Sequence, residues 1–134
     1  MPTDTAELEA NLDASCLLVL FIPSEQGTED HAPIDQEYWV GQALDTLGLA
    51  FGGATAFPKG QGVWLDVTAT APQLLRDTPV VIQSYANRAQ FDSNWTSLVE
   101  FLMRLGREGK QKAVGYVFNN RYGQIVVGRH YTWE

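Results

Sequence analysis

Seven side chains, drawn from three stretches of a 134-residue chain, are of types that exchange protons, hold anions or stack on a ligand. His31, Asp35 and Glu37 come from the first stretch, Trp64 from the second, and Arg104, Arg107 and Glu108 from the third. A carboxylate or imidazole beside a guanidinium has its protonation set by that charge. The guanidinium can grip an anion with two parallel hydrogen bonds while the acid or base passes a proton. Glu29, Asp30, Asp66 and Lys110 lie close in sequence and add charge to the same group. A plainer role fits the same residues. Charges at the start of one helix and the end of another can clip the two together, with bases favoured at a helix C-terminus. The sequence favours this salt-bridge layer. A polar pocket for a small anionic ligand, with Arg107 as the anion grip, is the sharper alternative.

Those stretches meet only if particular elements bring them together. Cys16–Ile22 is a continuous apolar run before Pro23, and its branched and aromatic content predicts a buried strand. Residues 24–33 are a polar loop. Asp35 is placed to cap a helix over 36–51, where Trp39, Val40, Ala43, Leu44, Leu47, Ala50 and Phe51 recur at three- and four-residue steps. Thr55–Phe57 and Val63–Leu65 are strand-like, residues 67–78 form a loop, and Val80–Tyr85 is a second buried strand. A second helix covers about 93–108, with Trp95, Leu98, Val99, Leu102 and Leu105 on one face. Ala113–Phe118 and Tyr122–Tyr131 are joined at Asn119-Asn120, a good tight turn because asparagine tolerates positive φ. The order predicts an α+β fold: a ferredoxin-like split βαβ (β-α-β-β-α-β plus a C-terminal hairpin strand), an antiparallel sheet with two helices on one face. In that fold the helices run antiparallel, so the start of the first lies beside the end of the second. Residues 1–15 are an acidic, loosely ordered segment, and 16–134 form the single domain.

The segment AFGGATAFPKGQGVWLD (50–66) has the glycines of a phosphate loop but the wrong order of elements. A Walker loop needs lysine after its last glycine and then a helix; here Lys59 precedes Gly60 and a strand follows. Gly52-Gly53 therefore reads as a helix stop, and Pro58, Gly60 and Gly62 as a bend in one irregular strand or a break between two short ones. Asp35 and Trp39 (D-x-x-x-W), FGGAT at 51–55, Gly62 and Trp64 (G-x-W), and Gly106, Arg107, Glu108 and Gln111 (GRE-x-x-Q) occur in that order. As a set they resemble a family of short uncharacterised bacterial single-domain proteins. The resemblance spans most of residues 17–127 and supports one domain, but supplies no mechanism.

The charge is unevenly spread. Residues 1–58 carry ten acidic side chains and no lysine or arginine, while 59–134 carry nine bases against six acids. The net charge of −7 disfavours nucleic acid as a partner. One cysteine, Cys16, excludes an internal disulfide, and no spacing of His and Cys suits a metal. No cofactor is expected. The apolar run is too short to span a bilayer and lacks a basic lead-in, so the expected address is the cytoplasm and not the membrane. Tyr116, Phe118, Tyr122, Tyr131 and Trp133 are expected on the sheet face away from the helices.

The leading expectation is a binding or assembly domain that dimerises through its sheet face and acts through protein contacts. The alternative is a small-molecule enzyme of the dimeric α+β barrel type, with a polar pocket near Arg107 and Glu108. A nucleic-acid-processing protein is third.

Overall fold

A computed structural model describes residues 15–28, 30–67 and 70–126. Strand β1 (Ser15–Ile22) is followed by helix α1 (Gln36–Phe51), strands β2 (Thr55–Ala56), β3 (Gly62–Asp66), β4 (Gln73–Asp77) and β5 (Val80–Asn87). Helix α2 (Arg88–Glu108) and strands β6 (Ala113–Phe118) and β7 (Arg121–Val126) complete it. The main sheet has the order β2-β5-β1-β6-β7 with every neighbour antiparallel. Two helices pack on it, as the sequence predicts for a ferredoxin-like fold. No helix of the described residues is long and apolar enough to cross a membrane.

Both helices cover the same sheet face. Leu18, Leu20 and Ile22 of β1, Val80, Ile82 and Ala86 of β5, and Val114 and Phe118 of β6 are buried there. They meet Trp39, Ala43, Leu47 and Phe51 of α1 and Leu98, Phe101, Leu102 and Leu105 of α2. The register explains the alternation: Leu18, Leu20 and Ile22 pair with Ser84, Ile82 and Val80, so all six share a face. Ser84 is the polar member, and its hydroxyl donates to the Gly53 carbonyl. Phe91 stacks on Phe118 at 3.7 Å between centroids, and Trp95 meets Tyr116 edge-on at 5.7 Å.

Helix ends follow the sequence. Asp35 accepts from the Tyr38 amide, and Asn87 forms a capping box with Gln90. Helix α2 starts at Arg88, five residues before its expected start, because that box sits directly on the end of β5. Asn119 and Asn120 take φ of 52° and 64°, the turn expected of them.

Four sequence readings need correction. Residues 73–77, read as loop, are strand β4, paired to β3 from Gly62↔Asp77 to Asp66↔Gln73. This hairpin stands apart from the main sheet as a second sheet. Neither of its faces is fully buried, so it has no clean alternation for the sequence to display. Tyr116 and Phe118 lie on the helix face, whereas Tyr122 lies on the outer one. A Cβ on Gly115 would collide with the Tyr122 ring, and one on Gly123 with the Tyr116 ring. Phe57, an aromatic residue expected in the core, is exposed. Segment 1–14, His130, Tyr131 and Trp133 lie outside the described residues, while Ser15 is already strand.

The helix stop uses Gly52, at φ 91°, and not Gly53. Its amide donates to the Gly48 carbonyl, which needs a left-handed backbone. Gly52→Val is expected to lower stability by about 1–3 kcal/mol, the cost of a left-handed non-glycine residue. A denaturant titration of both proteins checks it, and Gly53→Val, made at the neighbouring glycine, is expected to cost less.

Candidate functional site

The end of the domain where α1 begins and α2 ends carries the polar residues singled out in the sequence. The loop between β1 and α1 is tied across this end by short, specific bonds. Glu25 and Pro33 form an isolated bridge, the Gln26 amide donates to the Ala32 carbonyl at 2.7 Å, and the Gly27 amide donates to the Lys110 carbonyl at 2.8 Å. Gly27 sits so close to the α2–β6 turn that a Cβ there would lie 3.1 Å from both Lys110 O and Lys112 N. Gln111 locks the arrangement. Its Nε2 donates to the Glu25 carbonyl at 2.7 Å and to the Gly109 carbonyl at 2.8 Å from a buried position.

The β3–β4 hairpin is fastened to the same loop. Asp77 Oδ1 accepts from the Ser24 amide (3.3 Å), the Ser24 hydroxyl and its neighbour's amide at Thr78 (2.8 Å). Between loop, hairpin and turn lies a cleft of about 900 Å³. His31, Trp64, Asp66, Leu75, Gln111 and Lys112 contribute to its walls. Trp64 is half exposed there, and Asp66 is buried. His31 and Lys110 both take left-handed backbones, with φ of 48° and 49°. These are uncommon for residues with a Cβ and are held here by the turn hydrogen bonds. The Thr28 hydroxyl donates to Asp30 and holds its carboxyl below the usual carboxylate range.

The predicted site residues divide into groups. His31 and Trp64 share the cleft. Asp35 is spent as the α1 cap, and Glu37 is exposed in the first turn. Arg104 ties the helices: it lies over the Trp39 ring at 5.0 Å, donates to Gln42 Oε1 at 2.9 Å and pairs with Glu108 at 3.4 Å. The salt-bridge layer expected between helices is thus one guanidinium on an aromatic ring and an amide, because the facing side chains on α1 are Trp39 and Gln42. Arg107 is exposed in the last turn of α2, where its charge suits the helix C-terminus. Among the described residues it makes no ion pair with Asp35 or Glu37.

Three residues that build this end, Gln36, Arg76 and Asp77, carry no signal in the sequence, and Ser24 has no nucleophile motif around it. Glutamine and single charges form no motif, and the stretch holding Arg76 and Asp77 reads as loop. Gln111 had a signal, as the last residue of GRE-x-x-Q. No group of three His, Cys, Asp or Glu among the described residues is arranged to hold a metal.

No protein-family model and no curated protein matches the chain. Two solved structures resemble it along most of its length. A phage SAM lyase in complex with S-methyl-5'-thioadenosine superposes with a TM-score of 0.60 at 13% identity, covering 87% of this chain and 92% of that one. A phage SAM lyase in its apo state gives a TM-score of 0.50 at 14% identity, covering 84% and 90%. At these identities the likeness shows a shared fold.

Arg104→Ala is expected to lower stability by about 1–2 kcal/mol, since it removes a cation–π contact and a hydrogen bond between helices. Arg107→Ala is expected to change it by less than about 0.5 kcal/mol, as for an exposed side chain with no ion pair among the described residues. Urea titrations of the two variants beside the parent check both.

Proposed function

We propose that this domain is a small-molecule enzyme whose ligand is a thioether nucleoside, held in the cleft of His31, Trp64 and Asp66. The observation that carries the reading is the half-exposed Trp64 indole on the wall of a cleft of about 900 Å³. That volume is in the range of small-molecule sites. An indole face stacks on a purine, an interaction worth about 1–3 kcal/mol for a base on an aromatic side chain. Carboxylates of Glu25, Asp66 and Asp77 around the same cleft suit ribose hydroxyls, which donate, and a sulfonium, which is cationic. The ligand class is that of the phage SAM lyase complex with S-methyl-5'-thioadenosine. The reading moves the pocket from Arg107 and Glu108 to the far side of the α2–β6 turn, where Gln111 and Lys112 line it. The ordered motifs from Asp35 to Gln111 support kinship with the short bacterial family they resemble.

Binding of S-methyl-5'-thioadenosine is expected by calorimetry and by quenching of tryptophan fluorescence, with at least a tenfold loss in Trp64→Ala. Incubation with S-adenosylmethionine, followed by chromatography for the thioether nucleoside, tests turnover. No heat, no quenching and no thermal shift at millimolar ligand would sink the reading.

A second reading, assembly through the outer sheet face, rests on a separate observation. Leu17, Val19 and Phe21 of β1, Val81 of β5 and Val117 of β6 are only half buried, and Tyr85 and Tyr122 are 62% and 61% exposed. The register sets them on one face, opposite the helices. Two such faces pressed together form a homodimer, and the same surface would serve a protein partner. Light scattering at tens of micromolar is expected to give twice the monomer mass, and Phe21→Glu to return the monomer. A parent protein that stays monomeric contradicts it.

A further inference from the structure

A second cleft, of about 610 Å³, adjoins the first and shares Glu25, Arg76 and Asp77 with it. Gln36 contributes to its wall and is more than nine-tenths buried. Its Nε2 donates to the Ile22 carbonyl at 3.1 Å and to the Thr78 carbonyl at 3.0 Å. Both partners are acceptors, so the amide has one orientation. Its Oε1 is left buried and receives no hydrogen bond. A buried acceptor without a donor is costly and rare, which marks it as a place where a donor is missing.

The charges around it point to what that donor belongs to. Lys59 and Arg76 line the cleft and form no ion pair among the described residues. That side of the cleft suits a carboxylate. The other side offers acceptors. Three donors converge on Asp77 Oδ1, and among the described residues none reaches its Oδ2. Asp77 Oδ2 and Gln36 Oε1 both suit a cationic donor.

We propose that this cleft is a separate site for a free α-amino acid. The carboxylate lies against Lys59 and Arg76, and the ammonium donates to Asp77 Oδ2 and Gln36 Oε1. Oε1 has no exposed surface in this structure, so its contact with the ammonium requires the Gln36 side chain to shift on binding. A simple anion leaves both acceptors unpaired and binds weakly; a simple cation meets Lys59 and Arg76. The cleft shares Glu25, Arg76 and Asp77 with the nucleoside cleft, but S-methyl-5'-thioadenosine has neither a carboxylate nor an ammonium, so its binding and that of an amino acid are tested separately.

The test is a thermal-shift screen of the twenty amino acids, followed by calorimetry on any that binds. That amino acid is then compared with its amino alcohol, which lacks the carboxylate, and its deaminated acid, which lacks the ammonium. Both analogues are expected to bind at least tenfold more weakly. Lys59 is exposed and lines this cleft but not the nucleoside cleft. Lys59→Met is therefore expected to fold normally, weaken the amino acid at least tenfold and leave binding of S-methyl-5'-thioadenosine unchanged. No response to any amino acid, equal binding of the deaminated acid, or undiminished binding to Lys59→Met would each overturn the proposal.

Discussion

One side-chain amide holds this end of the domain together. Gln111 donates to Glu25 O in the loop after β1 and to Gly109 O in the turn after α2, and both bonds are short. These carbonyls are distant in sequence and lie in segments with no ladder of their own. A loop over a sheet end has backbone groups that must find partners. Here Gln111, the Gly27 amide and the Glu25↔Pro33 bridge supply them. Once the loop is fixed, Ser24 is in place to bind Asp77, and Asp77 fastens the β3–β4 hairpin. A two-stranded hairpin is marginal by itself. Its attachment to the loop and the contact of Gly60 and Gly62 with Pro79 turn it into a cleft wall.

The fold was legible because the core announces itself. The helix over 36–51 appears with the predicted bounds, since Trp39, Ala43, Leu47 and Phe51 recur at helical spacing and are all buried. β1 was legible for the same reason. The site was legible only in part. The topology places the start of α1 near the end of α2, so the right end of the molecule followed from the order of elements. The partnerships did not follow. Arg104 pairs with Glu108 on its own helix, but across to α1 it meets an indole and an amide and no acid, because α1 turns Trp39 and Gln42 toward it. Asp35 was taken by its own helix. The hairpin's second strand escaped because no residue of β4 is buried and QLLRD carries no apolar alternation.

The two sheet faces have different roles. The face under the helices is closed by stacked and edge-on aromatic pairs, Phe91–Phe118 and Trp95–Tyr116. Packed this way, Tyr116 and Phe118 are withdrawn from the outer face, where the sequence placed them. The outer face keeps its apolar strip of Leu17, Val19 and Phe21. The proposed chemistry lies on neither face but at the sheet end, where loop, hairpin and turn meet. Fold likeness to a phage SAM lyase bears on the scaffold; the residues that would hold a ligand are this chain's own.

The proposed ligand cleft is tested most directly by an NMR titration of isotope-labelled protein with S-methyl-5'-thioadenosine. The account predicts that shifts concentrate on the Trp64 indole and on the amides of Gly27, His31, Gln73 and Lys112. Amides of the outer face, such as Val19 and Val117, should stay in place. Shifts confined to the outer face, or none at saturating ligand, would contradict it.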